Sequence, residues 1–288
     1  MRKLFLIGIA LVAMLVPAAT ASAAPTGEWA KFSKCPYTNP AAEFCLYAET
    51  KSGTITIGKK AVPVVNPVVL QGGLDTEAGF LSPATMIAAT DGNTLTKAAQ
   101  PVPGGLIGIV APTWWPDFIE KWFNDQINAG LTGVTATMEL AGPASAVKFN
   151  AINALTGAGS TIEMPVKIKL GNAILGSNCY LGSNSSPIQL KLTTGKTTPP
   201  PPNTSISGSP GTLGANPTED LLTIANNKLV DNSFSASGAN GCGGIFSFLI
   251  DPLVDSVNGT PSPAGTNTAI LEGSTYIGYA PSVDANDP

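Results

Sequence analysis

Short runs in which apolar, often β-branched, residues alternate with polar ones recur along most of the chain, each closed by Gly, Pro, Asn or Asp. Thr54–Ile57, Val62–Val65 and Val68–Leu70 come first, followed by Val134–Leu140. In Ile162–Leu170 the alternation is strict: Ile162, Met164, Val166, Ile168 and Leu170 share one face, with Lys167 and Lys169 on the other. Further runs are Ile188–Leu192, Leu221–Ile224, Leu229–Phe234, Ser247–Ile250 and Thr268–Ile277. About ten short strands separated by turn residues predict an all-β fold, mainly an antiparallel sandwich or barrel-like architecture.

One segment has a different period. From Trp115, the residues Phe118, Ile119, Trp122, Phe123 and Ile127 recur at helical spacing, opposite Asp117, Glu120, Lys121, Asn124, Asp125 and Asn128. The pattern predicts one amphipathic helix near 114–129. Thr113 is its candidate cap, Pro116 fits its first turn, and Asn128-Ala129-Gly130 is its stop. An aromatic stripe of this kind is expected to face the core. Asp117 and Lys121, one turn apart, are expected to form a surface ion pair.

Between residues 193 and 218 the composition shifts to Thr, Ser, Pro and Gly, with a polyproline II stretch at Pro199–Pro202. It reads as a long surface loop within a C-terminal β-rich half, 161–288, rather than as a linker. The N-terminal β-rich half is then 24–160. No internal repeat is apparent.

Residues 1–23 read as a secretory signal peptide. Arg2 and Lys3 precede the apolar run Leu4–Val16, and Ala21-Ser22-Ala23 is an A-x-A cleavage site. Ala24 then becomes the first residue, with no cysteine beside it to carry a lipid and no membrane span left after processing. Cleavage also removes the only arginine, takes the net charge of −4 two units lower, and leaves lysine as the only cationic side chain. Such a surface is poor in the clustered positive charge that nucleic acids and anionic membranes recruit. Lys59-Lys60 is the one adjacent basic pair, and it reads as a solvated turn.

Four cysteines in an exported chain imply two disulfides. Of the three pairings, Cys35–Cys45 and Cys179–Cys242 are preferred. The first closes a short loop containing Pro and Asn, and the second spans the most loop-like part of the chain. Each is worth roughly 3–4 kcal/mol on the chain-entropy account.

The absence of histidine excludes Ser-His-Asp and Cys-His catalysis, and oxidised cysteines leave no thiolate. No phosphate-binding G-x-x-x-x-G-K-[ST] loop occurs, and Gly241-Cys242-Gly243-Gly244 is not one. The cysteine spacing matches no zinc site, and neither Asp231-Asn232 nor Asp284-Ala285-Asn286-Asp287 has the regular calcium-loop pattern. No metal or cofactor is therefore expected. Carboxylate-pair chemistry is the one catalytic class left, with Asp75, Glu77, Asp117, Glu120, Glu139, Glu163, Asp251 and Asp255 as candidates that spacing alone does not sort into a pair. Trp114 lies off the helical stripe and is the candidate ligand contact.

Met164–Leu170, Asn178-Cys179-Tyr180-Leu181-Gly182-Ser183, Thr197–Asn203 and Val230–Phe234, together with Cys242, resemble a group of uncharacterised secreted proteins of actinobacteria. The resemblance is clearest over the second half of the chain. It implies a bacterial source, an extracellular home, and sequons at Asn184, Asn203 and Asn258 that carry no glycan, and it brings no activity with it. The expectation is a secreted protein without catalytic activity, extracellular or loosely attached to the cell wall. The alternative is a carbohydrate-binding module, or a carboxylate-pair glycoside hydrolase, with cell-wall or extracellular polysaccharide as partner.

Overall fold

The computed structural model describes residues 24–76, 82–107, 113–128, 132–218 and 220–286. The signal-peptide reading, Glu77 and Asp287 lie outside these residues, as do the side chains of Phe123 and Ile127. Two long strands form the spine, β1 (Phe44–Ile57) and the penultimate element of the chain, which pair antiparallel from Phe44↔Tyr279 to Thr56↔Thr268. Between them in sequence come β2 (Lys60–Pro63), β3 (Val68–Asp75), β4 (Ala84–Ile87), β5 (Ala99–Pro101), β6 (Thr135–Leu140) and β7 (Lys148–Phe149). Then follow β8 (Ile162–Gly171), β9 (Tyr180–Leu181), β10 (Ile188–Leu192), β11 (Thr212–Ala215), β12 (Leu221–Asp231), β13 (Ala239–Asn240) and β14 (Thr268–Tyr279). The helices are α1 (Asp117–Asn128), α2 (Ala151–Thr156), α3 (Ser247–Asn258) and α4 (Ala280–Ala285).

All described strand pairs are antiparallel and belong to one sheet, ordered β11-β12-β14-β1-β3-β4-β7-β8-β6-β5. The N-terminal and C-terminal halves thus share a single sheet. Beyond β10, Thr193 and Val230 exchange backbone hydrogen bonds of 2.9 and 2.8 Å, which carries β10 onto β12 and gives the sheet a barrel-like return. The expected all-β, disulfide-stapled class holds. In β8 the predicted face is the buried one: Ile162, Met164, Val166, Ile168 and Leu170 alternate with half-exposed neighbours. Most of the core lies on this inner face. A second cluster, Trp29, Phe32, Cys35, Cys45, Leu221, Ala280 and Val283, covers the outer face of β1 and β14.

Pairing divides β1 into two parts. Phe44–Thr50 pairs with β3, whereas Thr54–Ile57 pairs with β2, and a bulge at Lys51 separates them. Gly53, next to that bulge, has φ 130°, and a Cβ there would stand 2.0 Å from the Ile270 carbonyl oxygen. Only glycine lets the two long strands cross so closely.

Both disulfides take the preferred pairing. Cys35–Cys45 ties the N-terminal segment to β1, and Cys179–Cys242 ties the chain before β9 to the approach to α3. Three expectations are corrected. Ser247–Ile250 is the first turn of α3 and not a strand: Gly243 turns the chain at φ 75° before it, and Gly259 ends the helix in the left-handed conformation. A four-residue apolar run fits either structure, and the helix wins because its apolar positions continue through Leu253, Val254 and Val257. The described aromatic residues of the α1 stripe are turned outward, with Phe118 75% and Trp122 62% exposed. Amphipathicity shows which face is apolar, while tertiary structure decides whether anything covers it. Finally, Lys121 pairs with Asp125, not Asp117, at 2.8 Å.

Candidate functional site

The alternation that builds the sheet also builds its main cavity. In β2 and the residue beyond it, a period of two puts Lys60, Val62 and Val64 on one face, opposite Ile57 and Ile55 of β1. On the other side, β6 and its approach present Val134, Ala136 and Met138, which stand across from Leu170 and Ile168 of β8. Helix α3 closes the space with Ile250, Leu253, Val254 and Val257, at helical spacing i, i+3, i+4 and i+7. These side chains do not meet in the middle. They enclose a cavity of about 490 Å³, a volume in the range of small-molecule sites.

Its wall is almost wholly apolar. Gln100 also lines it, but both ends of its amide are engaged: the oxygen accepts the Val65 and Asn66 N–H groups, and the nitrogen donates to the Asn66 and Ala98 carbonyls. Asn258 donates to the Val254 carbonyl. Lys60 is the one charged residue among the described lining. Its ammonium reaches the Pro103 carbonyl oxygen at 3.5 Å, and partial burial draws its pKa below the ordinary lysine value.

The cavity wall runs out onto the surface. Ile174 and Leu253 line the cavity and are both more than half exposed. Ile245, Phe246, Phe248 and Leu249, before and in the first turn of α3, are exposed as well. The carboxylates of this helix are turned the other way. Asp251 accepts the Gly241 and Cys242 N–H groups, and Asp255 accepts Ala239 N–H and the Thr260 hydroxyl. Charge therefore anchors the helix to the protein, and apolar side chains face outward.

The sequence-derived candidates fall elsewhere. None of the described carboxylates lines the cavity. Asp251 and Asp255 hold the loop before α3. Glu139 bonds to Tyr180, whose hydroxyl pKa is raised by burial first and by that carboxylate second. Glu163 stands across from Lys148 on one neighbouring strand and Lys191 on the other. Asp75 closes β3 opposite Thr85, and Asp117 and Glu120 lie on α1. Asp231 gives both oxygens to backbone N–H groups. Among the described residues, no group of three or more His, Cys, Asp or Glu is placed to hold a metal, and no helix is long and apolar enough to cross a membrane. Trp114 precedes α1, 81% exposed, edge-on to Trp115 with ring centroids 6.2 Å apart.

Sequence reasoning missed the cavity and Lys60. A signal for Lys60 existed: strand alternation places it on the same side as Val62 and Val64, which a solvated turn residue would not share. The cavity had no such signal, because its wall is assembled from eight separate stretches of chain, each of which reads as ordinary core. Comparison with known proteins finds no matching family model, no similar curated protein and no similar solved structure.

Proposed function

We propose that the protein is a secreted, non-catalytic binding protein whose ligand is a largely apolar molecule held in the cavity between β2, β6, β8 and α3. The observation that carries this reading is the cavity's size combined with its lining. A space of about 490 Å³ walled by aliphatic side chains would normally be filled by the protein's own core, because interiors pack to crystal-like density. Leaving it open forfeits contacts that a bound apolar molecule would restore. Two lining residues at the surface give a route in.

Binding of an environment-sensitive apolar fluorophore, with displacement by long-chain alcohols, tests the proposal. Ala136 sits on β6 with its side chain on the cavity wall, so Ala136→Phe should occupy the space. Loss of fluorophore binding with an unchanged melting temperature is the expected result. Undiminished binding by a folded Ala136→Phe variant would refute it.

The exposed indole of Trp114 favours a second reading, stacking on a sugar ring of a cell-wall or extracellular polysaccharide. Phe118 and Trp122, the next exposed aromatic residues along the chain, add at most one indole N–H for sugar hydroxyls, whereas the cavity is walled by several elements, which places this reading second. A glycan array in which Trp114→Ala abolishes a wild-type signal would put it first.

A further inference from the structure

Among the described lining of the cavity, three side chains are polar, Lys60, Gln100 and Asn258, and only Lys60 is charged. Lys60 stands opposite Ile57 on the β1–β2 hairpin, on the same face as Val62 and Val64. A lysine at the edge of an apolar space ordinarily extends its ammonium to water or to a carboxylate. Among the described residues no carboxylate lies within ion-pair distance of Lys60, and its one hydrogen-bond partner is the Pro103 carbonyl oxygen, at the long limit for such a bond. Its neighbour behaves differently. Lys59 is exposed and donates to the Ser256 carbonyl near the end of α3, where the helix leaves carbonyls unpaired. One lysine caps a helix; the other lines a cavity and has no carboxylate partner among the described residues.

Resting on the apolar-ligand reading, we infer that the ligand is an amphiphile with an apolar chain and an anionic head, the chain lying in the cavity and the head on the Lys60 ammonium. The wall offers an alkyl chain contact along most of its length: Gln100 is fully engaged, Asn258 gives its amide nitrogen to the Val254 carbonyl, and Lys60 carries the one charge among the described lining. An anion at Lys60 would supply the missing countercharge and a charge-assisted hydrogen bond, the stronger kind. A neutral amphiphile of the same chain would gain the apolar contact alone.

The test compares dodecanoate, monododecyl phosphate and methyl dodecanoate as displacers of the bound fluorophore, on wild type, Lys60→Met and Lys59→Met. Methionine keeps much of the apolar stem and removes the charge. In wild type an anion should bind roughly tenfold tighter than the ester, the difference a hydrogen bond to a charged group supports. Lys60→Met should erase that preference while keeping ester affinity, and Lys59→Met should preserve it. Whichever anion gains more identifies the head as carboxylate or phosphate. Equal binding of ester and anions by wild type would overturn the inference and leave the apolar site standing. Failure of all three to bind would overturn both. The wild-type comparison needs no variant, so a Lys60→Met protein that does not fold leaves the inference open to refutation.

Discussion

Asp231 closes β12 with 2% of its surface exposed, its two oxygens accepting the Lys191 and Ser233 N–H groups at 2.7 and 2.8 Å. Burial raises its pKa. The two backbone donors and the Lys191 charge oppose that rise without cancelling it. The folded protein therefore holds this proton more tightly than the unfolded chain does. Stability falls as pH rises from the ordinary carboxylate value through the raised folded one, and Asp231 adds no further slope above that. Asp231→Asn should flatten this step. At neutral pH it should also cost about 1–3 kcal/mol, because an amide has one oxygen where the carboxylate had two and leaves a buried N–H unmatched. Urea denaturation of both proteins across the acidic range measures each effect, and a variant with the wild-type slope would contradict the assignment. The sequence presents Asp231-Asn232 as a weak calcium pattern. Nothing in it shows that the backbone of a strand forty residues earlier occupies the carboxylate.

At the level of the element, α1 and α3 invert a common expectation in different ways. The stripe of α1 is as legible in sequence as that of any core helix, yet its described aromatic residues are exposed. In α3 the apolar face is shared between cavity and surface, while both carboxylates turn inward as hydrogen-bond acceptors. Truncation should separate these roles. Trp122→Ala should shift stability by no more than about 0.5 kcal/mol, the usual bound for a surface position, where a core tryptophan would cost roughly 3–5. Asp255→Ala should cost about 1–3 kcal/mol, since it strips the partner from Ala239 N–H and from the buried Thr260 side chain. Thermal unfolding of the two variants decides between this ordering and its reverse. The strands are the better-read part of the fold. Ile188–Leu192 matches β10 residue for residue, and the buried face of β8 follows from alternation alone. The elements that escaped notice are short ones such as β7, β9 and β13, two residues each, which exist because a neighbour supplies the pairing. Period cannot be seen in two residues.

For the molecule as a whole, the position of the Cys179–Cys242 bridge bears on how the protein can be made. Cys179 follows the turn that carries Ile174 and Leu175, and Leu181 of β9 comes two residues later; all three line the cavity. Cys242 donates its N–H to Asp251 of α3, and the next N–H, of Gly243, bonds to the Leu175 carbonyl at 2.7 Å. One covalent link thus fastens two adjoining pieces of the cavity wall. The Cys35–Cys45 link lies in the cluster on the opposite face of β1. Loss of the first should loosen the wall locally, whereas loss of the second should lower overall stability and leave the cavity's shape alone. The Cys179→Ser/Cys242→Ser protein should bind the fluorophore more weakly at temperatures where it remains folded, and Cys35→Ser/Cys45→Ser should bind as wild type does. Equal binding by both double variants would disprove that division. The practical outcome concerns the choice of expression host. Protein produced in a reducing cytosol should bind more weakly in a ligand screen, so the chain recovered from an oxidising compartment is the one whose organic extract should be searched by mass spectrometry for the proposed ligand.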